Sequence, residues 1–194
     1  MGPLPAAITR IFPLGDSITR GTNSHWTYRQ NVAASLTGAS CSFDMVGSQF
    51  GPDSGPGSGL LDRDHEGHGG FRTDQILAGL AGWLPGNEPD WVLIHLGTND
   101  VLQGTGITAA RANIGSVIDV LRNANLNVGI LLAQVIPNWP ANEAAVAALN
   151  DAGVAIMATA GFKRCCQGSP VPAECNLVGR TGLAARGYDQ TLNR

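Results

Sequence analysis

Charge is scarce in this chain. Asp, Glu, Lys and Arg make up 14% of its 194 residues, and the formal net charge is −3. Lys163 is the single lysine among 12 basic residues, and no basic cluster occurs, which argues against nucleic acid as a partner. No apolar run reaches the ~18 residues that a membrane span requires, so no membrane partner is expected. The four cysteines, Cys41, Cys165, Cys166 and Cys175, contain no C-x-x-C pair, so thiolate metal spacing is absent. They allow three full pairings, and both a stapled late loop and free thiols stay open. Residues 1–7 have neither a charged n-region nor an apolar h-region, so no signal peptide is expected there. A mature secreted chain given a new start would read the same. Histidine is scarce and lopsided: His25, His65, His68 and His95 are the four, and none follows His95.

What is present fits one globular α/β domain spanning 1–194, with 43% hydrophobic residues and 26 glycines. Residues 8–14 read as a buried strand, 25–36 as a helix with Trp26, Val32, Ala33 and Leu36 on one face, and 42–46 as a second strand. Residues 47–70 read as a long loop holding Gly-Pro-Asp-Ser-Gly-Pro-Gly-Ser-Gly at 51–59, a length that is usually functional or disordered. A helix is predicted over 73–83, with Thr73 as N-cap and Ile76, Leu77, Leu80 and Trp83 at helical spacing. The run 91–96 reads as a strand buried on both faces. Residues 108–123 form a predicted helix facing the core with Ile114, Val117, Ile118 and Leu121. A further strand over 128–135, stopped by Pro137 and Pro140, and an Ala-rich helix over 142–160 complete the alternation. Strand and helix in turn imply a mostly parallel sheet covered on both faces. After Gly161 the periodic texture stops, so the last strand of the series is doubtful.

Three segments fall where such a sheet binds ligands, beyond the carboxyl ends of its strands. Gly15-Asp16-Ser17 leaves the first strand, His65-Glu66-Gly67-His68-Gly69-Gly70 precedes a helix, and Gly97-Thr98-Asn99-Asp100 follows the strand over 91–96. Taken singly, Asp-Ser after Gly is a common turn or cap, and Asn-Asp a common turn. Taken together they offer a serine hydroxyl and three donors: the Ser17 N–H, the Gly70 N–H and the Asn99 amide. Such donors stabilise a tetrahedral oxyanion. A zinc reading of His65 and His68 has no third ligand at suitable spacing. A structural calcium on Asp53, Asp62, Asp64 and Glu66 is an open alternative. Phe71, Trp26 and Trp139 are candidates for stacking on a sugar ring, and Trp91 is assigned to packing. Arg20 and Arg72 are candidates for contact with a polar substrate.

In this order the segments resemble the SGNH (GDSL-type) hydrolases. Residues 64–71, Asp-His-Glu-Gly-His-Gly-Gly-Phe, and 43–49, Phe-Asp-Met-Val-Gly-Ser-Gln, are most similar to the acetylxylan esterases of carbohydrate esterase family three. The resemblance covers residues 8 to about 160. It implies a flavodoxin-like three-layer α/β/α fold, Ser17 as catalytic nucleophile, Gly70 and Asn99 as oxyanion donors, and removal of acetyl groups from xylan-type sugars. It implies no organic cofactor, acetylated polysaccharide or a small acetyl ester as partner, and an extracellular location. The family closes with an Asp-x-x-His segment ahead of Gly-Tyr, in which His is the general base. Counted back from Gly187-Tyr188, those slots hold Gly179 and Gly182. Three explanations compete: an altered C-terminal reading frame, service by His68 or His25, and a non-catalytic relative that only binds carbohydrate.

Overall fold

The computed structural model describes residues 8–24, 27–52, 62–137 and 140–158, apart from the side chains at 152 and 154–158. His25, Trp26, Asp53, Trp139, Cys165, Cys166, Cys175, Gly179, Gly182 and the stretch 161–194 therefore lie outside the described residues. So does the doubtful last strand.

Strand β1 (Thr9–Gly15) is central. Strand β5 (Trp91–His95) pairs with it in parallel, Ile11 opposite Trp91 and Gly15 opposite His95. On its other side β1 pairs with β2 (Phe43–Met45) at its start and with β4 (Asp64–Gly67) at its end, both in parallel. β6 (Gly129–Leu132) adds to β5 in parallel, and the two-residue β3 (Gln49–Phe50) runs antiparallel to β4. The sheet is thus mostly parallel, as expected.

Alternation along β1 sends Phe12 and Leu14 to one face and Ile11 to the other. Phe12, Leu14, Val92 and Ile94 pack against α3 (Thr73–Trp83), α5 (Ile107–Ala124) and α6 (Glu143–Ala158). Ile76 and Leu80 of α3 are fully buried there, each contributing about 1.5–3 kcal/mol of transfer free energy. Ile114, Val117, Ile118 and Leu121 of α5 are buried as their spacing predicts. On the opposite face α2 (Tyr28–Gly38) brings Ala33 and Val32 against Met45 and Phe43. Helices on both faces make the three layers. No helix among the described residues is long and apolar enough to cross a membrane.

Three expectations need correction. The stretch read as loop over 47–70 contains β4, whose sequence Asp-His-Glu-Gly has no apolar pattern; its burial rests on polar pairing instead. Thr73 is the first residue of α3 and not its N-cap, because its hydroxyl donates to Asp100 and Arg72 occupies the cap position. β5 buries Val92 and Ile94 completely but leaves Trp91 and Leu93 half-buried among the described residues. Trp91 does pack, lying across its ladder partner Gly129, where a Cβ would sit 2.5 Å from the indole.

Candidate active site

β1 ends in a turn that only glycine can make. A Cβ on Gly15 would lie 2.1 Å from Thr19 Oγ1 and 2.7 Å from the His95 carbonyl oxygen. The chain folds at once into the short helix α1 (Ser17–Arg20), whose N-cap is Asp16, with Oδ1 accepting from the Ile18 N–H at 2.9 Å. Ser17 takes the first helical position, where an N–H has no intrahelical partner, and its side chain is exposed. The other end of α1 is held by Arg29, a fully buried guanidinium. Its Nε donates to the Thr19 carbonyl at 2.9 Å and its Nη2 to that of Arg20 at 3.0 Å.

β4 delivers the second segment. Gly67 pairs with Gly15, and the His68 N–H donates to the Gly15 carbonyl at 2.9 Å. The loop then turns through Gly70, at φ +81°, the left-handed region that glycine enters without strain. Gly70 is exposed, and beyond its chain neighbours no atom lies within 4 Å of where its Cβ would be. Its N–H donates to no protein group among the described residues.

β5 delivers the third through α4 (Thr98–Gln103). Asn99 is 9% exposed, and its Nδ2 donates one hydrogen to the Phe71 carbonyl at 2.9 Å, leaving its second N–H unspent. The buried Asp100 accepts from the Thr73 N–H at 3.0 Å and from its Oγ1 at 2.7 Å. The structure therefore brings the Ser17, Gly70 and Asn99 segments together at the carboxyl ends of three adjacent strands.

Burial lifts the Asp16 carboxyl to about 6, against the Ile18 N–H that favours its charged form; the nearby Asp100 adds to the rise. Its Oδ2 and the Thr98 hydroxyl are buried together, and the hydroxyl favours the charged form against the desolvation.

Among the described residues no histidine is hydrogen-bonded to Ser17, and its Oγ has no hydrogen-bond partner there. His65 is buried, with Nδ1 accepting from the Gly67 N–H at 2.9 Å and Nε2 donating to the Gly51 carbonyl. Burial lowers its pKa to about 4, so it stays neutral. His68 is stacked on Trp83 at 4.1 Å and on Phe71 at 5.0 Å, with Nε2 2.6 Å from Glu66 Oε1. Glu66 also accepts from the Ser48 N–H at 2.6 Å and Oγ at 2.7 Å. His95 is buried with neither ring nitrogen partnered, and burial depresses its pKa.

Among the described residues no group of three or more His, Cys, Asp or Glu could hold a metal ion. Glu66 is committed to Ser48 and His68. Asp62 accepts from the Met45 and Asp64 N–H groups. Phe71 is half-buried against the core, which weakens its candidacy for sugar stacking. Arg72 is paired with Asp74 at 2.9 Å, whereas Arg20 is exposed with its Nη1 over Gly69. The sequence reading did not find Arg29, Gln103 or the Glu66–His68 pair, since none belongs to a periodic or spaced pattern.

Residues 14–165 match the GDSL-like Lipase/Acylhydrolase family. A solved family 3 carbohydrate esterase from Clostridium thermocellum is similar with TM-score 0.68 and 35% identity, covering 80% of this chain and 75% of that one. A family 3 carbohydrate esterase from Talaromyces cellulolyticus is similar with TM-score 0.69 and 31% identity, covering 78% and 73%. A multidomain esterase of Ruminococcus flavefaciens is 28% identical over 152 residues, 69% of this chain and 20% of that protein. The chain thus spans about a fifth of that relative's length. The family match takes in every segment that meets at the sheet edge, and this chain belongs to the GDSL-like lipase/acylhydrolase family.

Proposed function

We propose that the chain is a serine esterase that removes acetyl groups from carbohydrate esters of the xylan type. Ser17 Oγ gives up its proton and attacks the acetyl carbonyl carbon, and the carbonyl oxygen takes up the negative charge. The Ser17 N–H, the Gly70 N–H and the free N–H of Asn99 donate to that oxygen. On collapse the proton passes to the sugar oxygen as its bond to the carbonyl carbon breaks. This releases the sugar hydroxyl and leaves acetyl-Ser17, which water then hydrolyses to acetate. The observation that carries this reading is the convergence of an exposed serine and two unspent N–H donors at one sheet edge. The similarity to two family 3 carbohydrate esterases supports acetylated carbohydrate over long-chain acyl esters. A polysaccharide substrate would place the chain outside the cell.

A second reading is favoured by one observation: Ser17 Oγ has no base beside it among the described residues, and the closing His slot holds Gly182. On that reading the chain binds acetylated carbohydrate without turning it over. Acetate release from p-nitrophenyl acetate and acetylated xylan separates the two. Turnover that vanishes in Ser17→Ala supports the esterase. Acetylated-xylan affinity that survives Ser17→Ala, with no acetate from either form, supports the binding protein.

A further inference from the structure

Gly70 offers the oxyanion its N–H, yet open space lies where a side chain would be. It is exposed, sits at φ +81°, and has no atom beyond its chain neighbours within 4 Å of its Cβ position. A glycine so placed is the freest kind of residue to reorient. Its position is set by a turn bond from the Phe71 N–H to the His68 carbonyl at 3.2 Å and by hydrogen bonds from α4 to two carbonyls. Gln103 Nε2 donates to the Gly70 carbonyl at 3.1 Å, and Asn99 Nδ2 donates to the next one along, that of Phe71. The Gln103 amide is itself oriented. Its Oε1 accepts from Arg72 Nη1 at 2.9 Å, and an arginine can only donate, so the NH₂ end must face Gly70. Arg72 is in turn fixed by a two-pronged pair with Asp74, at 3.0 Å from Nε and 2.9 Å from Nη2.

We infer that Gln103 is a positioning residue, a strap on the Gly70 carbonyl that, together with the turn bond from the Phe71 N–H to the His68 carbonyl, fixes the residue whose N–H donates to the reacting carbonyl, with Arg72 and Asp74 setting the strap's direction. The inference rests on the reading of Gly70 as an oxyanion donor and adds a residue that touches neither substrate nor Ser17. Asn99 does two jobs in this arrangement, donating to the oxyanion and to the Phe71 carbonyl, whereas Gln103 only positions. A donor that swings out of line forfeits much of its stabilisation, because small misplacements near reacting atoms are costly in rate.

Gln103→Glu tests this cleanly. The carboxylate still accepts from Arg72 but presents no donor to the Gly70 carbonyl; Gln103→Ala removes both contacts. Gln103 is exposed, so both variants should fold, with a melting temperature within about 2 °C of wild type. Two quantities are read: kcat and KM on p-nitrophenyl acetate, and the ¹⁵N order parameter of the Gly70 amide. The expected result is a kcat lower by about tenfold with KM within about twofold. The Gly70 order parameter should drop from about 0.85 to below about 0.6. Unchanged kcat in both variants overturns the inference, as does a lowered kcat with an unmoved Gly70 amide. If wild type releases no acetate, or Ser17→Ala keeps turnover, the esterase reading fails on its own account. The amide measurement then decides alone: a Gly70 equally ordered in Gln103→Glu and wild type, or already loose in wild type, overturns the strap.

Discussion

At the sheet edge Asn99, Asp100 and Gln103 bond to residues 70–73, and the Ser17 and Gly70 N–H groups donate to no group among the described residues. In the β3–β4 region Glu66, His65, His68 and Ser48 bond to one another and to nearby backbone, so both His65 nitrogens and both Glu66 oxygens are spent. Both regions are built from polar side chains, but the edge leaves Ser17, Gly70 and Gln103 exposed whereas His65 and Glu66 are buried. One accumulates unspent donors, which suits a developing anion. The other consumes its donors and acceptors, which suits a scaffold. A histidine's presence near a serine therefore says little about catalysis until its nitrogens are accounted for. The regions also resist charging in opposite directions: burial raises Asp16 to about 6 and lowers His65 to about 4.

The largest effect should fall on the edge. Asn99→Ala is expected to lower kcat by about 10²–10³, the cost of an oxyanion donor, when assayed on p-nitrophenyl acetate. A loss under threefold would remove Asn99 from the site. Asp100→Ala strands the buried Thr73 N–H and hydroxyl and should cost about 2–4 kcal/mol in urea unfolding. An unaltered midpoint would mean that α3 and α4 are held by packing alone.

The pH dependence of stability sharpens the contrast. Unfolded Asp16 loses its proton near 3.8 and folded Asp16 near 6, so this group's contribution is full below about pH 4 and is lost as pH rises through 6. His65 runs the other way: its contribution is full above about pH 6.5 and is lost as pH falls through 4. The two shifts correspond to contributions of roughly 3 kcal/mol for Asp16 and roughly 3–4 kcal/mol for His65 at most. Asp16→Asn keeps an acceptor for the Ile18 N–H and should abolish the loss on raising pH. His65→Gln should abolish the loss on lowering it. Urea midpoints between pH 4 and 7 that keep the wild-type slopes in both variants would refute the assignment.

The smallest effect is expected at His68. With Nε2 on Glu66 and its ring between Trp83 and Phe71, His68→Gln should leave kcat on p-nitrophenyl acetate within about threefold of wild type. A collapse of kcat in a folded variant would make His68 the base and erase the difference between the regions.

Where the sequence carried a period, it was legible. The α5 face of Ile114, Val117, Ile118 and Leu121 and the β1 strand were readable because apolar spacing reports burial directly. The three segments of the edge were readable because a parallel sheet puts every strand exit at one end. β4 was not readable, since its burial depends on its own His65 and Glu66 side chains finding partners at Gly51 and Ser48, earlier in the chain. Thr73 looked like a cap because its type suits one; its true partner, Asp100, lies 27 residues on. Arg29 gave no signal, because a helical arginine normally faces water and this one is buried against carbonyls of α1.

The most direct test of the acyl-transfer reading is mass spectrometry of the Ser17-containing peptide after acid quench of a reaction with acetylated xylan or p-nitrophenyl acetate. The account predicts an acetyl group on Ser17 in the wild-type chain, absent in Ser17→Ala and weaker in Asn99→Ala. Acetate released while Ser17 stays unmodified, or an acetyl group found on another residue that turns over, would contradict it.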